Sequence, residues 1–188
     1  MTLLMSLSYY EKFVTSKYYY ILRSYKDNGY YNMVLQYAND GNLREYLKAN
    51  FQRLLWADKL RIAKEIVLGL LFLHNNDVIH RDLHSKNILI HHGQPQIADF
   101  GLSKQIKETS TTSCSNIHGM LAYIEPKRGY KCDKKSDIYS LGVILWEISS
   151  GRPPYESFES EYSIAIHIYE GNREIPIKGT PLQYIELY

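Results

Sequence analysis

His80-Arg81-Asp82-Leu83-His84-Ser85-Lys86-Asn87 and, twelve residues beyond Asn87, Asp99-Phe100-Gly101 are the stretch that decides the fold of this chain. The residues between them read as two short strands, around Ile88 to His91 and Gln96 to Ala98, joined by a turn at His92-Gly93. Val78 to Asn87 and Asp99 to Gly101 are then loops at the ends of that hairpin, each carrying a carboxylate. Taken singly these residues have plain explanations, since a lone Asp in a loop forms turns and a lone His or Asn caps a helix. Taken together they are no accident. At about one in twenty per position, the five residues His80, Arg81, Asp82, Leu83 and Asn87 recur at this spacing by chance roughly once in several million trials, before the second cluster is counted.

Upstream, two aromatic and apolar runs between Tyr18 and Gln36 flank Lys26-Asp27-Asn28-Gly29, which predicts a β-hairpin. Asn39-Asp40-Gly41-Asn42 is a polar linker, and Leu43 to Ala49 a short helix with Asn42 as its N-cap. Trp56 to His74 predicts a long helix. Leu60, Ala63, Val67, Leu70, Leu71 and His74 recur at steps of three and four and are expected on its buried face. Downstream, Lys104 to His118 is rich in Ser and Thr without periodicity, the pattern of a mobile surface loop. Lys134 to Ser149 is a strongly apolar helix closed by Gly151 and Pro153-Pro154, and a last helix is expected near Tyr162 to Glu170.

A chain of 188 residues with 45% hydrophobic content can bury one core. Its 22 basic and 20 acidic residues leave a net charge of +2, so no global field points to nucleic acid or to an anionic membrane as partner. Cys114 and Cys132 fit neither a disulfide framework nor a metal spacing, which suits a reducing, cytoplasmic location. Met1 to Leu7 is apolar but has no basic leader, and Ile138 to Trp146 is far short of the roughly 20 residues that span a bilayer, so neither a signal peptide nor a membrane partner is expected. Several of the 18 tyrosines cluster between Tyr18 and Tyr31, as in strands and half-buried aromatic surface.

The ordered pair of motifs resembles the catalytic-loop and metal-loop signatures of protein kinases, most similar to the tyrosine-kinase-like group, over about Tyr18 to Tyr188. Val34-Leu35-Gln36-Tyr37-Ala38 resembles the strand entering the interlobe hinge, and Asp137-Ile138-Tyr139-Ser140-Leu141-Gly142 the central helix of the large lobe. The resemblance implies an α+β, protein-kinase-like two-lobe fold. Residues 1–37 would be a remnant of the N-lobe, its last two strands up to the hinge, and residues 38–188 a C-lobe incomplete at its C-terminus.

The same resemblance implies transfer of the ATP γ-phosphate to hydroxyls of a protein substrate, with a lean to Ser/Thr, where positioning and charge neutralisation dominate. Asp82 would accept the substrate proton, while Asn87 and Asp99 would hold magnesium. Leu35 would be the gatekeeper, Gln36 and Ala38 would meet the adenine edge through their backbone, and Leu89 would pack beneath the ring. His80 is expected to stack on Phe100, and Asp137 to anchor the catalytic-loop backbone. Arg81 is a candidate partner for phosphate placed by an activating kinase on the Thr109–Ser115 loop.

Several positions depart from the pattern. His84 stands where serine/threonine kinases carry a phosphate-neutralising lysine, and Lys86 falls where many tyrosine kinases place an arginine, so both are candidate phosphate contacts. Met120 replaces a threonine that touches the catalytic Asp, and Lys127 replaces the glutamate of the Ala-Pro-Glu triplet. No glycine-rich loop or phosphate-contacting lysine precedes Tyr18, and Glu11 is too near the next strand to serve as the missing helix's acid. The alternative to a kinase is therefore a pseudokinase or truncated fragment acting as a binding or scaffold module.

Overall fold

The structure, a computed structural model, describes residues 21–27, 30–35, 37–105, 120–126 and 133–188, with 21–35 and 104–105 described by their backbone. β1 (Ile21–Asp27) and β2 (Tyr30–Leu35) pair antiparallel, from Asp27 opposite Tyr30 to Ile21 opposite Leu35. The expected hairpin is there. Its turn residues Asn28 and Gly29 lie outside the described residues, as do Glu11, Gln36, Cys114, Gly119, Lys127, Cys132 and the Thr109–Ser115 segment.

The polar linker after β2 is held by its own side chains. β4 (Ile88–His91) and β5 (Gln94–Ile97) form a hairpin whose turn residues, His92 and Gly93, have φ of 48° and 69°. Two successive left-handed residues match the right-handed twist of the flanking strands. The turn's freed amides are taken up by the linker: Asn39 Oδ1 accepts the His92 N–H at 3.0 Å, and Asp40 Oδ2 accepts the Gly93 N–H at 2.9 Å. Backbone bonds from Asp40 N–H to Ile90 O and from Ile90 N–H to Gly41 O, at 3.0 and 2.8 Å, lay the linker along β4.

Asn42 then starts α1 (Leu43–Asn50) with a reciprocal cap: its side chain accepts the Glu45 N–H, and the Glu45 carboxylate accepts the Asn42 N–H. In α2 (Trp56–Asn75) the buried face differs from the expected one. Ile62, Ala63, Ile66, Leu70, Leu73 and His74 are buried, whereas Leu60, Val67 and Leu71 are exposed. The steps of three and four generate two stripes on one helix, and the richer stripe, with Ile62 and Ile66, took the core. Lys59 shares the buried face because its ammonium lies over the Phe51 ring, 3.6 Å from the centroid, and near that of Trp56.

β3 (Val78–Ile79) pairs with β6 (Lys104–Gln105), so the segment expected to be loop from Lys104 begins in a short ladder. α3 (Lys134–Ser150) is capped by Asp133, which accepts from the Lys135 and Ser136 amides, and packs Leu141, Ile144, Leu145 and Ile148 into the common core. α4 (Glu161–Tyr169) starts at Ser160, and α5 (Leu182–Ile185) buries Tyr184, whose hydroxyl donates to Leu145 O at 3.0 Å. Among the described residues no helix is long and apolar enough to cross a membrane.

α3 stops at Gly151, whose φ of 70° favours glycine, and a Cβ there would run into the Phe51 ring. Gly151→Ala should therefore cost about 1–3 kcal/mol, read as a lower urea midpoint at unchanged slope.

Candidate active site

Asp137, in the first turn of α3 and 1% exposed, organises the loop that follows β3. Its Oδ1 accepts the Arg81 N–H and its Oδ2 the His80 N–H, both at 2.9 Å, and His74 Nε2 donates to Oδ2 at 2.9 Å. A buried carboxylate with three donors aimed at it is a compensated charge. Arg81 turns left-handed at φ 73°, which delivers Asp82 beyond the anchored pair.

His80 is fully buried, tilted against Phe100 at 5.3 Å between ring centroids. Its Nε2 lies 3.0 Å from Ala98 O, and its Nδ1 accepts the Asp82 N–H at 3.3 Å. One nitrogen must carry a proton and the other must not, so these partners fix the neutral Nε2–H tautomer. Burial lowers the pKa of this imidazole, against the pull of Asp137.

Asp82 is received by Asn87, whose Nδ2 donates to Asp82 O at 2.8 Å and to Asp82 Oδ2 at 3.2 Å. The carboxamide oxygen of Asn87 is a further hard oxygen on this loop. His84 Nε2 stands 3.6 Å from the other carboxylate oxygen, Oδ1, and burial lowers the pKa of this ring too, with Asp82 opposing. The bond from Ala98 N–H to Asn87 O, at 2.8 Å, brings in the next loop, where Asp99 sits exposed at φ 58° and accepts the Gly101 N–H at 3.1 Å. The loops are tied further by Ser103 Oγ to His80 O and Arg81 Nη1 to Leu102 O, each 3.3 Å. Carboxylate and carboxamide oxygens are the hard donors that magnesium takes when phosphates complete its shell, and Asn87 and Asp99 supply them on bonded neighbouring loops.

The model of the family described as protein tyrosine and serine/threonine kinase matches residues 3–187. This chain belongs to that protein kinase family. Among curated relatives, the chain is 36% identical over 144 residues to the serine/threonine-protein kinase PrkC of Bacillus subtilis, covering 75% of this chain and 22% of the relative. It is 34% identical over 165 residues to human receptor-interacting serine/threonine-protein kinase 1, covering 78% of the chain and 24% of the relative. A putative serine/threonine-protein kinase/receptor of Acanthamoeba polyphaga mimivirus, R831, is 32% identical over 158 residues, covering 82% and 10%. The chain thus spans a quarter or less of the length of these relatives.

Of the residues singled out from sequence, the fold brings Asp82, His84 and Asn87 together and sets Asp99 one strand-end away. Lys86 is exposed on the short turn Ser85–Asn87. Leu89 bridges to Asn42, so it faces the linker that carries Ala38, and both are half-buried. Leu35 ends β2.

A second buried cluster went unread in the sequence. Glu147 of α3, 1% exposed, receives Arg44 Nε at 2.9 Å, Ser85 Oγ at 3.0 Å and the Tyr123 hydroxyl. Arg44 Nη2 also donates to Tyr123 Oη at 2.7 Å, and Nη1 approaches Met120 Sδ at 3.9 Å. The available signal was a glutamate inside the apolar run Leu141 to Ile148.

Two outcomes are expected for this chain. Asp137→Asn turns one acceptor toward backbone donors into a donor, and should cost about 3–5 kcal/mol in urea unfolding, as when a buried pair loses a partner. His80 has a depressed pKa in the folded state, so its contribution is full above the unfolded value and is lost as pH falls through the folded one. Melting temperature should thus drop between about pH 7 and pH 5, and His80→Gln, which keeps a donor and an acceptor without titrating, should flatten that slope.

Proposed function

We propose that this kinase transfers the γ-phosphate of ATP to serine or threonine hydroxyls of a protein substrate, in the manner of the tyrosine-kinase-like group. The observation that carries this reading is Asp82 held between Asn87 and His84 on a loop fixed by Asp137. The serine/threonine preference follows its relatives, which are serine/threonine-protein kinases.

Asp82 receives the proton of the substrate hydroxyl and aims its oxygen, and the Asn87 amide keeps the carboxylate in place for that task. Asn87 and Asp99 would hold magnesium, and Mg-ATP, when bound, would supply the transferable phosphoryl group and the cation that neutralises its oxygens. Leu35 as gatekeeper, Gln36 and Ala38 through their backbones, and Leu89 would hold the adenine, as the family resemblance implies. Lys86 offers an exposed positive charge to phosphate, and His84 offers an imidazole that is neutral near pH 7.

Residues 1–37 belong to the N-lobe and 38–188 to the C-lobe, the protein works in the cytoplasm, and an activating kinase acts on Thr109–Ser115, with Arg81 as the phosphate's partner. Incubating the chain with Mg-ATP and serine, threonine and tyrosine peptides tests the assignment. Transfer should favour serine and threonine, and Asp82→Asn should slow it about 10²–10⁴-fold while nucleotide binding persists. Transfer undiminished in that variant would remove Asp82 from the reaction.

A further inference from the structure

We infer that Arg44 is a positioning residue for the catalytic loop, acting through Glu147 and Tyr123 without touching substrate. The inference rests on the kinase reading for its kinetic consequence only. Asp82 lies on a loop suspended from α3 at two points. One is Asp137, which binds the amides of His80 and Arg81. The other, ten residues along the same helix, is Glu147, which binds Ser85 Oγ at 3.0 Å.

The two suspensions differ in how their charge is balanced. Asp137 is bound by the His80 and Arg81 amides and by the buried His74. Glu147 depends on a guanidinium from a separate element, α1, whose side chain remains 18% exposed. Arg44 supplies the only full positive charge within hydrogen-bonding distance of Glu147 among the described residues, the other donors being the hydroxyls of Ser85 and Tyr123. Tyr123 Oη accepts from Arg44 and donates to Glu147, while burial first and Glu147 second keep that phenol protonated.

Through Tyr123 the same cluster fixes the segment Met120–Tyr123. The Tyr123 N–H closes onto Met120 O at 2.9 Å, and Ser140 Oγ donates to Tyr123 O at 2.8 Å. α1 has no need of Arg44 to fold locally, since its cap is made by Asn42 and Glu45 and its core contacts by Leu43 and Leu47. Without Arg44 the buried carboxylate is uncompensated, and Ser85 and Tyr123 must move or admit water to solvate it.

Hydrogen exchange of the 188-residue chain without nucleotide, paired with peptide phosphorylation, tests this. In Arg44→Ala the Asn87 and Tyr123 amides should exchange about tenfold faster while those of Ile66 and Leu70 in α2 do not change, and Arg44→Lys should restore part of the protection. The exposed Lys48→Ala on the same helix should leave both sets unchanged. Turnover in Arg44→Ala should fall about tenfold at unchanged KM for ATP, a split that marks lost positioning. If Arg44→Ala does not fold, Arg44→Gln supplies the same comparison. Unchanged exchange at Asn87 and Tyr123, or acceleration spread equally through α2, would overturn the inference. Absence of transfer by the unmodified chain would count against the kinase reading alone, because the exchange result still decides the role of Arg44.

Discussion

A carboxylate buried at the start of α3 accepts three hydrogen bonds, two of them from consecutive backbone amides of a loop that has no regular structure of its own. Loops ordinarily run over the surface because their amides need water. Asp137 removes that need for His80 and Arg81, which lets the loop lie against the core with Leu83 and Ser85 buried and still hold Asp82 between Asn87 and His84. The core supplies the rigidity, and α3 carries it to the chemistry.

The site is assembled by polar groups that satisfy one another across segment boundaries. The linker feeds the β4–β5 turn through Asn39 and Asp40, β5 feeds the catalytic loop through Ala98, and His80 reads both that carbonyl and the Asp82 amide. Most of these donors have an acceptor from a different stretch of sequence, and the β3–β6 and β4–β5 pairs bracket the two loops, so the loops keep their mutual spacing. Family membership, established over residues 3–187, accounts for the order of the motifs. The hydrogen bonds account for why that order makes one site.

Much of this was legible before any coordinates, because the signals were local. Asn42 followed three residues later by Glu45 is a helix start in the sequence, and it is one in the structure. The stacking of His80 on Phe100 and the anchoring role of Asp137 came from motif resemblance and are present as expected. The buried face of the long helix was read half correctly: Ala63, Leu70 and His74 are buried, but Leu60, Val67 and Leu71 satisfy the same periodicity as Ile62 and Ile66, and only the third dimension says which stripe meets α3 and β5. The Glu147 cluster escaped for a related reason. Its partners Arg44, Ser85 and Tyr123 are 103, 62 and 24 residues away, and no local spacing rule joins them.

The left-handed backbone at Arg81 and Asp99 has a consequence for how such a sequence can drift. A non-glycine residue at positive φ costs about 1 kcal/mol or more, which asparagine or aspartate bears best and β-branched residues bear worst. Replacement of Asp99 by valine or threonine would therefore distort the main chain as well as delete the charge, and Arg81 faces the same double barrier. Lineages that abandon the reaction should shed these two side chains through Asn or Gly first, leaving a recognisable genealogical trace: the bend preserved after the chemistry has gone.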